Sequence, residues 1–255
     1  MSTGAGPTER ESFSVPGKQT CIMDELTERI REHVRAALQG SGAHGFDHTE
    51  RVVRLCELLG ASEGADMAVL IPAALFHDIA RPLEEETGVP HEEEGARMAE
   101  SFLRSIQYPG DRIPGIVHAI RAHRYSSGIA PDTQEARVLS DADKLDAMGA
   151  VGIARTFMQA GATGRRCDGR HVRSLRSRQA SSAGAREARR SSSGIPDATD
   201  HIREKLLNLR SLMYTQSART IAERRHAFLA TFIETLDDEV HARPSSSPEA
   251  GSDHL

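Results

Sequence analysis

An all-α helical bundle is predicted for this chain of 255 residues, on three observations. Apolar residues recur three and four positions apart through most of the sequence, and no strand-like alternation of any length competes with them. The hydrophobic fraction is 38 % but aromatics make up only 4 % and Trp is absent, so Leu, Ile, Val, Ala and Met must build the core, a mix suited to packed helices. The length suits one sizeable domain, taken as residues 21–241, between tails at 1–20 and 242–255 whose Gly, Ser, Thr, Pro and charge predict disorder.

The first helix is read from Ile22, Leu26, Ile30, Val34 and Leu38, at steps of four, ending at Gly40. After a glycine-containing loop, Asp47 is expected as an N-cap with Glu50 as its capping-box partner, opening a helix whose buried stripe is His48, Val52, Leu55 and Leu59. A mostly apolar run, Val69 to Phe76, closes on His77 and Asp78 and must stop near Ala80, because Arg81 precedes Pro82; Pro72 suggests a kink within it or a helix beginning there. His91 starts the next helix, with Glu92, Glu93 and Glu94 in the turn where the helix dipole favours acids. Ile113, Ile116, Val117 and Ile120 form a further stripe that His123 continues, pointing inward near the helix end. Glu135 to Met158 reads as one helix, on which Leu139, Asp143 and Asp146 share a face while Asp141 is turned away. Helical pattern returns at about Asp200 with Ile202, Leu206, Leu209 and Leu212, and a last helix carries Ile221, Ala222, Leu229, Phe232 and Leu236.

Between these, at about residues 162–199, lies a loop rich in Arg and Ser, opposed only by Asp168 and Glu187. It lacks the interleaved aromatics that stack on bases, which argues against a nucleic-acid partner, and the net charge of -5 gives no global attraction to one. No stretch approaches the roughly 20 apolar residues that span a bilayer. The widely spaced Cys21, Cys56 and Cys167 fit neither a disulfide framework nor a paired-cysteine zinc site, so a cytoplasmic protein with reduced thiols is expected.

The chemistry-bearing residues are His48, the adjacent pair His77 and Asp78, then His91, His123 and the carboxylates Asp141, Asp143 and Asp146. Imidazole and carboxylate bind divalent transition metals, and helix-borne ligands can hold one or two ions while leaving a coordination position for water. Asp78, flanked by ligands on both sides in sequence, is the natural bridge between two ions. Water activated by such ions attacks phosphorus without a covalent intermediate. Phosphate recognition also wants fixed positive charge, for which Lys144, Arg155 and Lys205 are candidates, with Lys144 also taken as catalytic. Asp141 and Asp146 are candidates for orienting ligands from behind, and His44 for touching substrate. The runs Glu84–Glu86 and Glu92–Glu94 read as solvated faces.

These residues resemble the HD-domain superfamily of metal-dependent phosphohydrolases. "HGFDHTERVVRL" is similar to the family's opening helix, "AALFHDIAR" to its defining His-Asp motif and "LSDADKLDAMGAVGIAR" to its closing Asp motif. With "HIREKLLNL…MYTQSARTIAERRHAFLATFI", the last resembles the small YedJ-like subgroup. The resemblance implies an all-α HD-domain bundle with metal ligands at His48, His77, Asp78 and Asp143, and with His91 and His123 matching the extra histidines of binuclear members. It implies one or two divalent ions (Mn, Fe, Ni, Co, Zn or Mg) and hydrolysis of a small phosphate ester such as a nucleotide. Two other readings use the same ligands: a di-iron oxygenase, as in inositol oxygenase, and a non-catalytic module in which a structural metal supports sensing or scaffolding.

Overall fold

The computed structural model describes residues 16–39, 45–162 and 198–243, and within them every regular element is helical. The tails before Pro16 and after Arg243, the arginine-rich loop and His44 lie outside the described residues. Helix α1 spans Pro16–Ala37, so it begins inside the expected N-terminal tail. It is followed by α2 (Phe46–Glu63), α3 (Met67–Phe76), α4 (Arg81–Thr87), α5 (His91–Ser105), α6 (Ile113–Ala122), α7 (Gln134–Asp146) and α8 (Gly149–Ala162). Then come α9 (Ala198–Glu204), a 3₁₀ stretch at Leu206–Leu212, and α10 (Gln216–Val240).

Helix α3 organises the bundle. Val69, Leu70, Pro72, Ala73, Ala74, Leu75 and Phe76 are all buried, and a helix apolar on every side has nowhere to sit except inside. It is surrounded by α1, α2, α5, α6 and α7. Asp66 caps its start by accepting from the Ala68 N–H at 2.9 Å. The helix runs through Pro72 rather than starting there. Proline has no N–H to give the carbonyl of Ala68 four residues back. The hydroxyl of buried Tyr108 donates to that carbonyl instead, at 2.6 Å.

Two further boundaries differ from those the sequence predicts. The cap of α2 is Gly45, in extended conformation and without a side-chain bond, so Asp47 lies in the first turn and makes no cap, while Glu50 pairs with Arg31. The long helix expected from Glu135 to Met158 is broken between α7 and α8 at Gly149, whose φ of +70° is left-handed backbone that glycine adopts without strain. A side chain at Gly152 would also strike the Ala147 carbonyl, at 2.1 Å, so both glycines serve the corner. The corner turns α8 so that Arg155 faces back toward the end of α7. Among the described residues no helix is long and apolar enough to cross a membrane.

Candidate metal centre

His77 and Asp78 follow directly after α3, at the end of the buried helix. The elements around α3 bring their own ends to the same place: His48 from the first turn of α2, His91 as the first residue of α5, His123 just after α6, and Asp143 from the last turn of α7. All four histidines and Asp78 are buried, each with 2 % or less of its surface exposed.

Asp78 stands between two groups. Its Oδ2 lies 3.5 Å from His48 Nε2 and 3.7 Å from His77 Nε2, while its Oδ1 lies 3.2 Å from His91 Nε2 and 3.7 Å from His123 Nε2. Asp143 Oδ1 joins the first group, 3.4 Å from His48 Nε2. Within the groups, Nε2 faces Nε2 at 3.2 Å for His48 and His77 and at 3.3 Å for His91 and His123.

The other ring nitrogen of every imidazole is engaged. His77 Nδ1 is 2.7 Å from the Ala74 carbonyl and His123 Nδ1 is 2.6 Å from that of Ile120. His48 Nδ1 is 2.7 Å from Asp146 Oδ2, and His91 Nδ1 is 2.8 Å from Glu84 and 3.2 Å from Glu92. Each of these partners is an acceptor, so Nδ1 carries the proton and Nε2 presents a lone pair. Lone pairs and carboxylate oxygens then face one another in a buried space, an arrangement that calls for a cation between them. Ligand bonds of about 2.0–2.2 Å place neighbouring ligand atoms about 2.8–3.6 Å apart, close to the spacing found here. His48, His77, Asp78 and Asp143 could hold one ion and Asp78, His91 and His123 a second.

Without a metal, a proton fills part of this role. Burial, which opposes charge on His48, is outweighed by Asp143, Asp146 and Asp78, and its pKa is raised to about 10. Burial lowers that of His77 to about 4, keeping it neutral. Although burial alone would raise the Asp143 carboxyl, His48 holds it well below the usual range.

Other expected residues take distinct places. Asp146 clamps His48 and is itself gripped by Arg51 and Arg155. Asp141 is turned away from the cluster, as its helical phase suggested, and orients none of the four imidazoles. It is fully buried and accepts from the N–H of Tyr214 at 2.9 Å and from the N–H and hydroxyl of Thr215 at 2.8 Å each, tying down the start of α10. Asp141→Ala should therefore cost about 3 kcal/mol of stability, since it orphans buried donors, with metal uptake retained. Denaturant unfolding and metal analysis check this, and lost metal at unchanged stability would return Asp141 to the centre.

Lys144, Arg155 and Lys205 line a cleft of about 480 Å³ that opens at His123 and Asp143, together with Arg81, Arg124, Tyr125, Leu206 and Leu209. The Lys144 ammonium is tied to the Ser140 hydroxyl at 2.8 Å and carbonyl at 3.1 Å, and burial lowers its pKa. Two glutamates from the runs expected as solvated faces also belong to the site. Glu84 and the buried Glu92 sit behind His91, and Arg124 Nη1 donates to both, at 2.7 and 3.2 Å. A glutamate seven residues before a candidate ligand histidine and another beside it are the signal the sequence offers.

The family model for the HD domain matches residues 45–148. The chain is 31 % identical over 223 residues to the uncharacterized protein YpgQ of Bacillus subtilis, covering 86 % of this chain and 96 % of YpgQ. It is similar to the crystal structure of that protein in complex with ADP, with a TM-score of 0.61 at 28 % identity over 84 % of this chain and 97 % of the other. It also resembles an HD-superfamily hydrolase from Bacillus thuringiensis, with a TM-score of 0.63 at 28 % identity over 87 % of this chain and 100 % of the other.

Proposed function

The chain belongs to the HD-domain superfamily of hydrolases, and from that premise we propose that it is a metal-dependent phosphohydrolase acting on a small phosphate ester of the nucleotide class. The observation that carries this reading is the convergence of four Nε2 atoms on the two oxygens of one buried carboxylate, beside a cleft that shares His123 and Asp143 with the cluster and is lined by Arg81, Arg124, Lys144, Arg155 and Lys205. His48, His77, Asp78 and Asp143 would hold one ion and His91, His123 and the other oxygen of Asp78 a second. Divalent ions bound there supply a water that ionises near neutral pH and neutralise charge on a phosphoryl oxygen. The cleft cations would orient the phosphate groups, arginine through its planar fork and lysine as a point charge.

The cleft is not uniformly charged. Tyr125, 64 % exposed, and the apolar side chains of Leu206 and Leu209 share its lining with the cations. That combination suits a ligand with an anionic end and a flat apolar end, which a nucleotide has, and the solved complex of YpgQ with ADP supports the same class. The likeness to HD-superfamily hydrolases favours hydrolysis over an oxygenase or a scaffold.

A screen of nucleotides and phosphomonoesters against the protein loaded with Mn, Co, Ni, Zn or Mg tests the reading. Release of phosphate or pyrophosphate from a nucleotide is expected, abolished by chelation and equal with and without oxygen. A fully metallated protein that turns over no phosphate ester would overturn it.

A further inference from the structure

The two halves of the cluster are supported differently from behind. On the His48 side, Asp146 is gripped by Arg51 through two bonds, at 2.7 and 3.1 Å, and by Arg155 at 2.6 Å. Arg155 lines the cleft but Arg51, which makes two of the three bonds, does not. On the His91 side, Glu84 receives Arg81 at 3.1 Å and Arg124 at 2.7 Å, and Glu92 receives Arg124 at 3.2 Å. Both of those arginines do line the cleft. The number of protein ligands differs as well: the His48 group offers four, whereas Asp78, His91 and His123 offer three.

We propose that Arg124 is a positioning residue for the His91/His123 metal position, holding Glu84 and Glu92 against Nδ1 of His91, so that the cleft wall which meets an anionic substrate also sets the affinity of this one position. The proposal rests on the metal-centre reading above. Two carboxylates crowd a single ring nitrogen here, and their mutual repulsion is relieved by the one guanidinium nitrogen, Nη1 of Arg124, that donates to both. Remove it and Glu84 keeps only Arg81, while Glu92 loses the donor. The His91 ring then loses part of what fixes its proton on Nδ1 and its lone pair on the metal side. The described contacts to the two glutamates use Nη1, which leaves other N–H groups of the fork for an anion in the cleft. The His48 position depends less on the cleft wall, since Arg51, outside the cleft, holds Asp146 through two bonds beside the one from cleft-lining Arg155.

Calorimetric titration of the metal-free full-length protein with Mn²⁺ alone tests this. The wild type should take up two equivalents. In Arg124→Ala the first should bind unchanged and the second about 10- to 100-fold more weakly, the range typical of lost partners behind a ligand, with Arg124→Lys between the two. A residue that merely touched substrate would leave both isotherms as they were. An unchanged second equivalent, an equally weakened first one, or a wild-type stoichiometry of one overturns the proposal; a wild type that binds no Mn²⁺ overturns the metal centre itself. Glu84→Gln, judged by the same two isotherms, keeps the question decidable if Arg124→Ala does not fold.

Discussion

If the chain hydrolyses nucleotides as proposed, Asp78→Ala should lower that activity by more than about 100-fold, beyond what losing a partner behind a ligand costs, and should abolish metal uptake at both proposed positions. The reason is its shared position: one oxygen faces His48 and His77 and the other faces His91 and His123. Among the described contacts, no other carboxylate of the cluster faces histidines of both groups. His77→Ala, by contrast, removes a ligand from the first group alone, and His123→Ala from the second alone. Elemental analysis beside turnover separates these cases, and circular dichroism shows whether the bundle persists. The same turnover in purified Asp78→Ala as in the wild type would refute the site.

Metal removal should be the next largest effect. An ion that binds only the folded chain adds about 2.7 kcal/mol at a concentration 100 times its Kd. For a chain of this size that corresponds to roughly 5–11 °C in Tm. The gain should depend on pH, with a sign set by His48. Its pKa is raised to about 10 by three carboxylates that overcome burial. In the metal-free protein the protonated ring therefore adds stability that is complete below the unfolded value of about 6.5 and is lost as pH rises through about 10. A metal must displace that proton from Nε2, so its affinity falls about tenfold for each unit of acidification below pH 10. Thermal shifts at fixed Mn²⁺ should thus be larger at pH 8 than at pH 6, and the reverse order would show that His48 is not the group displaced.

Local pattern made much of this arrangement legible. The run from Val69 to Phe76 has no polar face, which places it at the centre of a bundle, and His48 and His123 continue apolar stripes that must face that centre. Neighbouring residues along one helix fix those directions, so the sequence carries them. What it does not carry is which distant side chain meets the far edge of each ring. Asp146 reaches Arg51 across 95 positions, and Asp141 reaches Thr215 across 74. These contacts follow from how helices are set against one another, which periodicity does not encode. Glu84 and Glu92 looked like members of solvated acidic runs because most of their neighbours are exposed; only the approach of α6 with Arg124 encloses them. The corner at Gly149 was readable in principle from two glycines three apart, but the apolar spacing continues across it and hid the break.

Pro72 and Tyr108 are joined by a single carbonyl that the one cannot reach and the other does. With alanine at 72, the backbone would itself supply a donor to Ala68, leaving the phenol of Tyr108 in competition with it inside a dry core. With phenylalanine at 108 and proline kept, the carbonyl would lose the phenol that stands in for the missing N–H. Neither position is therefore free to drift alone, and related chains should be found to carry these two residues together or to lack both.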